Sequence, residues 1–430
     1  MKNVLLLVSL LILGASSPTE IDRSFIEGDL DYLVDFYKDL HQFPELSLRE
    51  ESTSKKLAKA LRETGFEVTE NFGGYGIVGI MKNGEGPQIL YRTDMDGLPM
   101  WEKTDLDYKS EVEVPYQGGT VGTMHSCGHD MHMATWIGTA RAMAQMKDKW
   151  SGTLMMIGQP AEEIGQGAKM MLDAGLYEKF GVPDYGLALH CNPGLEAGAI
   201  ALSEGYILAA AESIDIKVKG VGAHGASPHM SIDPIVVASM IVMDLQTIVS
   251  RSIKPIEDAV VTVGAIKGGT KHNIIPDEVT LQLTVRTYKE EVRQLIHKRI
   301  REISRGVGIA AGLPDDKLPE VIIPDQYTPP NYNNPELTAR IRTSASIALG
   351  KDQVKFAEPR MGGEDFARYG ATADKVPCVM FSLGTVPEAR MKSGDLPGLH
   401  SPFYYPEPLK SLETGVSVMS QSLLDLMAKN

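Results

Sequence analysis

The sequence predicts an α/β protein: a mostly parallel sheet with helices on both faces, interrupted by a smaller inserted α+β unit of ferredoxin-like topology. Three observations carry that reading. Short apolar runs at 77–81, 89–91, 153–157 and 186–189 alternate with helical spacings, the order that builds a parallel sheet. Between 209 and 326 the strands alternate apolar and polar residues, in an order close to β-α-β-β-α-β. At 430 residues the chain is too long for one core and fits two domains.

Composition excludes one class of partner. The formal net charge is −14 and no basic stripe exists to neutralise phosphates, so nucleic acid is not expected as a partner. At the N-terminus, Lys2 precedes an apolar segment at 4–13 broken only by Ser9, then Gly14, Ala15, Ser16 and Ser17. That is the pattern of a signal peptide over residues 1–17. The segment is too short to span a bilayer, so the expectation is a secreted or periplasmic protein with no stable membrane span after cleavage. Three cysteines cannot all pair, which leaves at least one as a free thiol or a ligand.

Taken in order, residues 30–63 read as two helices around the turn His41-Gln42-Phe43-Pro44-Glu45. Leu33, Phe36, Tyr37 and Leu40 form the apolar face of the first, and His41 falls off that face. The strand at 89–91 ends in Arg92-Thr93-Asp94-Met95-Asp96-Gly97. Ala134, Gly138 and Ala142 then leave one helix face nearly bare of side chains, fit to lie close against a sheet. The strands at 153–157 and 186–189 deliver Glu162-Glu163 and His190. In the inserted unit, a strand at 213–219, a helix at 234–249, strands at 260–266 and 279–287 and a charged helix at 289–305 follow. The strand 280–286 alternates cleanly, so one of its faces is open to solvent or a partner. Prolines and asparagines at 329–334 mark the return to the first domain, where a helix at 336–349, a glycine-hinged loop at 361–366, a strand at 376–383 and an amphipathic helix at 412–427 complete the chain.

The densest chemistry is Met124-His125-Ser126-Cys127-Gly128-His129-Asp130-Met131-His132, which reads as a metal site. A thiolate and an imidazole two positions apart aim at one point only if the backbone bends sharply, and Gly128 permits that bend. Only Cys191 and Cys378 remain elsewhere, so a closed four-cysteine site is excluded. Further ligands must come from far along the chain. Glu162, Glu163, His190 and His400 each follow an apolar run, and Asp94, Glu162, Glu163 and His190 stand at carboxyl ends of predicted strands, where open sheets gather their ligands. Adjacent glutamates point in different directions, so one can bind metal while its neighbour faces substrate.

Arg92 to Pro99, the 124–132 stretch, 159–163, Leu189-His190, 222–229, Glu364-Asp365-Phe366 and Leu399-His400 occur in the order found in the M20 metallopeptidases. The chain resembles that family's amidohydrolase branch, which includes hippurate hydrolases, N-acyl-amino-acid deacylases and plant auxin-conjugate hydrolases. The resemblance covers nearly everything from residue 30 onward. It implies a catalytic domain at 18–208 and 327–430, an inserted lid or dimerisation domain at 209–326, and a homodimer formed through the latter. It also implies two divalent metal ions per subunit, held by Cys127, His129, Glu163, His190 and His400, with Glu162 as general base. If Cys127 bridges, one ion has Cys127, Glu163 and His400 and the other Cys127, His129 and His190, with Asp94 orienting a histidine ligand. Zn or Mn, with Co or Ni as alternatives, suit such a mixed donor set; other branches have histidine where Arg92 stands, which leaves the preferred metal open.

By the same resemblance His224, from the inserted domain of the same or a partner subunit, donates to the tetrahedral oxyanion, while Asn273 and Arg286 bind substrate. The arginine offers a fork to an α-carboxylate. His125, His132 and His229 read as structural. The implied activity is hydrolysis of the amide bond of an N-acyl amino acid of the hippurate kind, giving an amino acid and a carboxylic acid. A carboxypeptidase or dipeptidase differs only in the acyl group, short peptides then being the substrate. A cysteine hydrolase built on Cys127 and His129 leaves the distant carboxylates unexplained. A solute-binding protein on this fold would be expected to have lost Glu162 first.

Overall fold

A computed structural model describes residues 20–429; the expected signal peptide at 1–17 lies outside the described residues. Runs buried on both faces become the strands of an eight-stranded sheet. Its members are β1 (Glu67–Thr69), β2 (Ile77–Asn83), β3 (Gln88–Asp94), Gly152–Gln159, Tyr185–Glu196, Ile200–Ala201, Val354–Lys355 and Cys378–Val386. Across the sheet the order is β1, β2, 152–159, β3, 185–196, 378–386, 200–201, 354–355. The four central strands, 152–159 to 378–386, run parallel. Antiparallel pairs flank them on both sides.

Helices cover this sheet, and three expectations about them need correction. Helix α1 (Arg23–Gln42) starts earlier than residue 30, because Asp22 caps it by accepting the Ser24 N–H at 3.1 Å. After α2 (Glu51–Glu63) comes α3 (His129–Gln145), whose bare face lies against helices rather than the sheet. A Cβ on Gly138 would stand 2.6 Å from Val416 Cγ2 and 2.7 Å from Leu33 Cδ1, so α1 and the C-terminal helix Pro408–Leu426 use that stripe. The bulky side of α3 takes the sheet instead, and the Trp136 indole donates to the Tyr91 carbonyl at 3.1 Å.

That C-terminal helix is buried on nearly every side from Thr414 to Leu424, not amphipathic. Its polar positions are mostly serines and threonines, and Thr414 and Ser422 satisfy their hydroxyls on the helix backbone, on the Lys410 carbonyl at 2.6 Å and the Val418 carbonyl at 2.7 Å. His41 needs a further correction. Four residues after Tyr37 and eight after Leu33, it shares their face and is fully buried. Its ring lies between Asp130 at 2.6 Å and Glu102 at 3.1 Å. Burial opposes its charge, yet the two carboxylates hold its pKa at about 9, making a buried imidazolium that ties α1 to α3.

The second unit has its own sheet and core. Strands Glu320–Ile322, Ala210–Lys219, Glu278–Thr287 and Ala259–Gly268 lie side by side in that order, all antiparallel, with the first and third in sequence at the centre. Helices Pro234–Thr247 and Glu290–Ala310 cover one face, burying Ile214, Ile216, Ile241, Leu281 and Ile296. This is the ferredoxin-like arrangement. Among the described residues one helix, Pro234–Ser252, is long and apolar enough to cross a membrane. It packs Val237, Ala238, Ile241 and Leu245 into this core and leaves Val236 54% and Met243 70% exposed. The opposite face of the sheet, carrying Ser213, Thr284 and Arg286, looks onto a cavity at the carboxyl end of the first sheet.

Candidate metal centre

The site exists because two neighbouring strands part. β3 and 185–196 pair only through Tyr91↔Leu187 and then separate, opening a crevice beyond the strand ends. His190 projects there from the longer strand, opposite Ser382 of its other neighbour. Gly128 enters the crevice with φ 83° as the N-cap of α3, the left-handed bend that turns Cys127 and His129 toward each other. A side chain at Gly128 would also meet Cys191 Sγ at 2.8 Å. From the other wall, Ala161 at φ 53° makes a sharp turn that presents Glu162 and Glu163.

Two groups of donor atoms converge. In one, ligand atoms of Cys127, Glu163 and His400 lie within 4.8 Å of one another; in the other, those of Cys127, His129 and His190 do so. Cys127 belongs to both. Backbone acceptors fix both imidazoles, the buried His129 and the partly buried His190. A carbonyl can only accept, so the His129 Nδ1–H donates to the Asp96 carbonyl at 2.8 Å and the His190 Nδ1–H donates to the Cys191 carbonyl at 2.9 Å. In its neutral form each ring offers an Nε2 lone pair, the form a metal takes; burial opposes a charge on His129, yet Asp94 and Asp96 raise its proton affinity, so a cation there would replace that proton. His129 Nε2 and Glu163 Oε1 are buried with no hydrogen-bond partner, as donor atoms awaiting a cation would be. The thiol, imidazole and carboxylate set fits zinc-like divalent ions.

Charge crowding points the same way. Asp94, Asp96, Glu162, Glu163, Glu364 and Asp365 gather here, and burial raises several of them: Glu163 to about 7, Asp365 to about 7 and Glu162 well above the usual carboxylate range, with Glu364 adding to the last. Burial likewise pushes the Cys127 thiol up, so its thiolate needs a cation beside it. One fixed cation is built in. Arg92 is fully buried and donates to Asp94 at 2.6 Å, Glu364 at 2.8 Å and Gln159 at 3.0 Å. The residue that marks this branch is therefore a permanent counter-ion beside Glu162, not a ligand.

The other histidines divide clearly. His132 has both nitrogens spent, accepting the Cys191 N–H at 2.8 Å and donating to Asp94 at 2.7 Å. Asp94 therefore orients His132 and not one of the expected ligands; backbone carbonyls take that part. His125 is buried with neither nitrogen partnered, and burial lowers its pKa to about 4. Arg286 lines the site, but His224 and Asn273 do not. Those two sit on the small sheet of Ala223–His224 with Ile274–Ile275, on the exposed surface of the second unit.

Sequence reasoning missed Glu50 altogether. It is 0% exposed, and its Oε1 accepts the N–H of the strained Ala161 at 2.8 Å. Asp96 holds the next two peptides, accepting from Glu162 N at 3.2 Å and Glu163 N at 3.0 Å. Together these carboxylates pin the turn that aims the paired glutamates. A glutamate followed by a second, Glu51, at the start of a helix gives no sequence signal of such a contact. Burial, then the charge of Asp96, raises Glu50 to about 7. A carboxyl whose folded pKa exceeds its unfolded one costs stability that is absent below about pH 4, grows up to pH 7 and then stays constant, reaching about 3 kcal/mol. Glu50→Gln keeps an oxygen for Ala161 and removes that cost, so in urea unfolding it is expected to gain on the wild type between pH 5 and pH 8. Parallel stability curves for the two proteins would refute the buried-proton account.

The sequence pattern of Peptidase family M20/M25/M40 matches residues 90–425. N-acetylcysteine deacetylase of Bacillus subtilis is 36% identical over 357 residues, 82% of this chain and 88% of that protein. Hippurate hydrolase of Campylobacter jejuni is 36% identical over 329 residues, 76% of this chain and 82% of that protein. Among solved structures, a dinuclear metal-binding peptidase of the M20 family from Bacillus subtilis superposes with a TM-score of 0.74 at 30% identity, covering 94% of this chain and 98% of that one. With these relatives and a converging donor set of its own, the chain belongs to the M20/M25/M40 peptidase family and is a metal-dependent amidohydrolase.

Proposed function

We propose that this amidohydrolase cleaves the amide bond of N-acyl amino acids, releasing an amino acid and a carboxylic acid, with two divalent ions held by Cys127, His129, Glu163, His190 and His400. The observation that carries this reading is Glu162. It is nearly buried, its proton affinity is raised, and it stands beside both donor groups on the wall of the cavity that also holds Arg286. Lewis acidity at the carbonyl and an acidified water are what bound divalent ions of the zinc or manganese kind supply. Glu162 takes the water's proton as general base and returns it to the departing amine, a cycle that its raised affinity suits. Arg286 offers a two-pronged donor to the amino acid's carboxylate.

His224 and Asn273 enter this scheme through a second copy of the chain. Their surface position is reconciled with a role at the site by a homodimer, in which His224 of one subunit donates to the oxyanion in the other. Support comes from the exposed apolar face of helix Pro234–Thr247, with Val236, Met240 and Met243, and from the open edge strand Ala259–Gly268 beside it. An unpaired edge of that kind is a ready pairing surface. Export rests on the pattern of residues 1–17 alone; the three cysteines, buried and unpaired, add nothing to it.

Three outcomes are expected. Glu162→Gln lowers kcat on N-acyl amino acids by at least about a hundredfold while metal content measured by mass spectrometry stays at the wild-type level; turnover that survives the substitution would remove Glu162 as the base. Mixing inactive Glu162→Gln and His224→Ala chains restores about a quarter of wild-type activity through composite sites; no recovery, with exchange of subunits shown by mass, would place His224 outside the partner's site. N-terminal sequencing of protein made by an exporting cell finds a start near residue 18, whereas an intact Met1 would rule out cleavage.

A further inference from the structure

Two cavities open from the metal centre and share Cys127, His190, Arg286 and His400. One, of about 500 Å³, is walled mainly by polar groups such as Gln166, Ser213, Thr284 and Thr328 and includes Glu162 and Glu163. The other, of about 600 Å³, runs over Leu195, Ile207, Leu208, Met380 and Phe381. Lys355, Glu358 and Arg360 are exposed and form its rim, where Phe356 is 65% exposed, while Arg286 and the buried Glu364, which line both cavities, stand at its metal-centre end. Arg360 already donates to the Asn192 side chain at 3.3 Å. Gly362 and Gly363 keep the shared wall thin. A Cβ on Gly363 would meet Ala211 Cβ at 2.8 Å, and one on Gly362 would touch Leu208.

Glu162 lines the polar cavity and not the apolar one. The half of the substrate that leaves as an amine must reach the proton on Glu162, so it lies in the polar cavity. The acyl half then falls to the other. Resting on the amidohydrolase reading above, we propose that the apolar cavity is the acyl pocket and that it selects a bulky apolar acyl group, aromatic or medium-chain, over acetyl. Its volume lies within the roughly 300–1,000 Å³ that hold drug-sized ligands. An acetyl group would leave the Ile207, Leu208 and Met380 walls in contact with water, and nothing of their apolar surface would be used. A longer chain removes that surface from water, and each buried methylene adds about fourfold to kcat/KM.

The test holds the amino acid constant. N-acetyl-, N-butyryl-, N-hexanoyl-, N-octanoyl- and N-benzoylglycine are compared by kcat/KM on the metal-loaded, full-length mature protein. The octanoyl and benzoyl substrates are expected to exceed acetyl by at least about a hundredfold. Leu208→Trp, which fills the cavity, is expected to cut the octanoyl-to-acetyl ratio at least about tenfold. A flat series or a preference for acetyl overturns the pocket assignment while leaving the amidohydrolase reading intact. Release from no substrate by protein with metal bound overturns both. A second arm compares N-acetylglycine with N-acetylphenylalanine; if the side chain of the amino acid raises kcat/KM and Leu208→Trp suppresses that gain, the cavity belongs to the amine half and the assignment is reversed. Should Leu208→Trp fail to fold, the wild-type series decides alone.

Discussion

The centre of this molecule is organised by an excess of negative charge that must be buried. Six carboxylates meet at the carboxyl end of one sheet, and carboxylates taken out of water this way repel one another and resist ionisation. Three answers are built into the fold. Arg92 is a permanent positive charge shared by Asp94, Glu364 and Asp365, which offsets part of their repulsion. Peptide N–H groups of 162, 163 and 168 solvate Asp96 and Asp365. Among the remaining donors, Glu163 Oε1 and His129 Nε2 are buried with no hydrogen-bond partner, a need that a metal ion would meet. This division of labour separates the carboxylates that brace the site from those that work in it.

How much of this was legible in the sequence depends on whether a residue's part is set by its neighbours in the chain or by contacts formed only after folding. Cys127, Gly128 and His129 carry their geometry within three residues, and the Glu162-Glu163 pair and His190 follow apolar strands whose ends are readable. The central sheet and the ferredoxin-like unit were likewise visible from periodicity. What stayed hidden involved partners from distant segments. Nothing local marks Glu50 as the acceptor for Ala161, which is 111 positions away. The burial of His41 follows from its spacing after Leu33 and Tyr37, but its carboxylate partners, at positions 102 and 130, have no local signal. The bare face of α3 was seen correctly as a close-packing surface, but its neighbour was assigned wrongly, since small residues announce close approach and not what approaches. The C-terminal helix misled for a related reason: serines and threonines count as polar in any pattern, yet they bury readily once bonded to their own backbone.

The inserted unit shows how one alternating strand serves two purposes. In Glu278–Thr287 the residues that point one way form the core under helices Pro234–Thr247 and Glu290–Ala310. Those that point the other way, Thr284 and Arg286, form the roof of the catalytic cleft. A shift of one residue in its pairing with Ala210–Lys219 would exchange the two sets, placing Arg286 in the apolar core and leucines over the metal site. Ten paired residues hold that register, far more than a strand needs merely to be part of a sheet.

Strain gives the last link between fold and chemistry. Ala161 and His400 both adopt positive φ, at 53° and 62°, in a region that side chains other than glycine enter at a cost of about 1–3 kcal/mol each. Glycine would relieve the first without losing a functional side chain, and alanine is there all the same. What holds it is a buried carboxylate on its N–H and two further N–H groups, of Gln166 and Gly167, on its carbonyl. The His400 peptide is held by the Ser126 carbonyl, one residue before the shared thiolate. Both strained peptides are therefore anchored to the segments that carry, or directly adjoin, the metal donors. Glycine at 161 would lower the strain but widen the range of directions open to Glu162, and the general-base role proposed for it requires reaching one water and one amine from a single position. The cost of an unfavourable backbone is better borne here than the cost of a loosely aimed base.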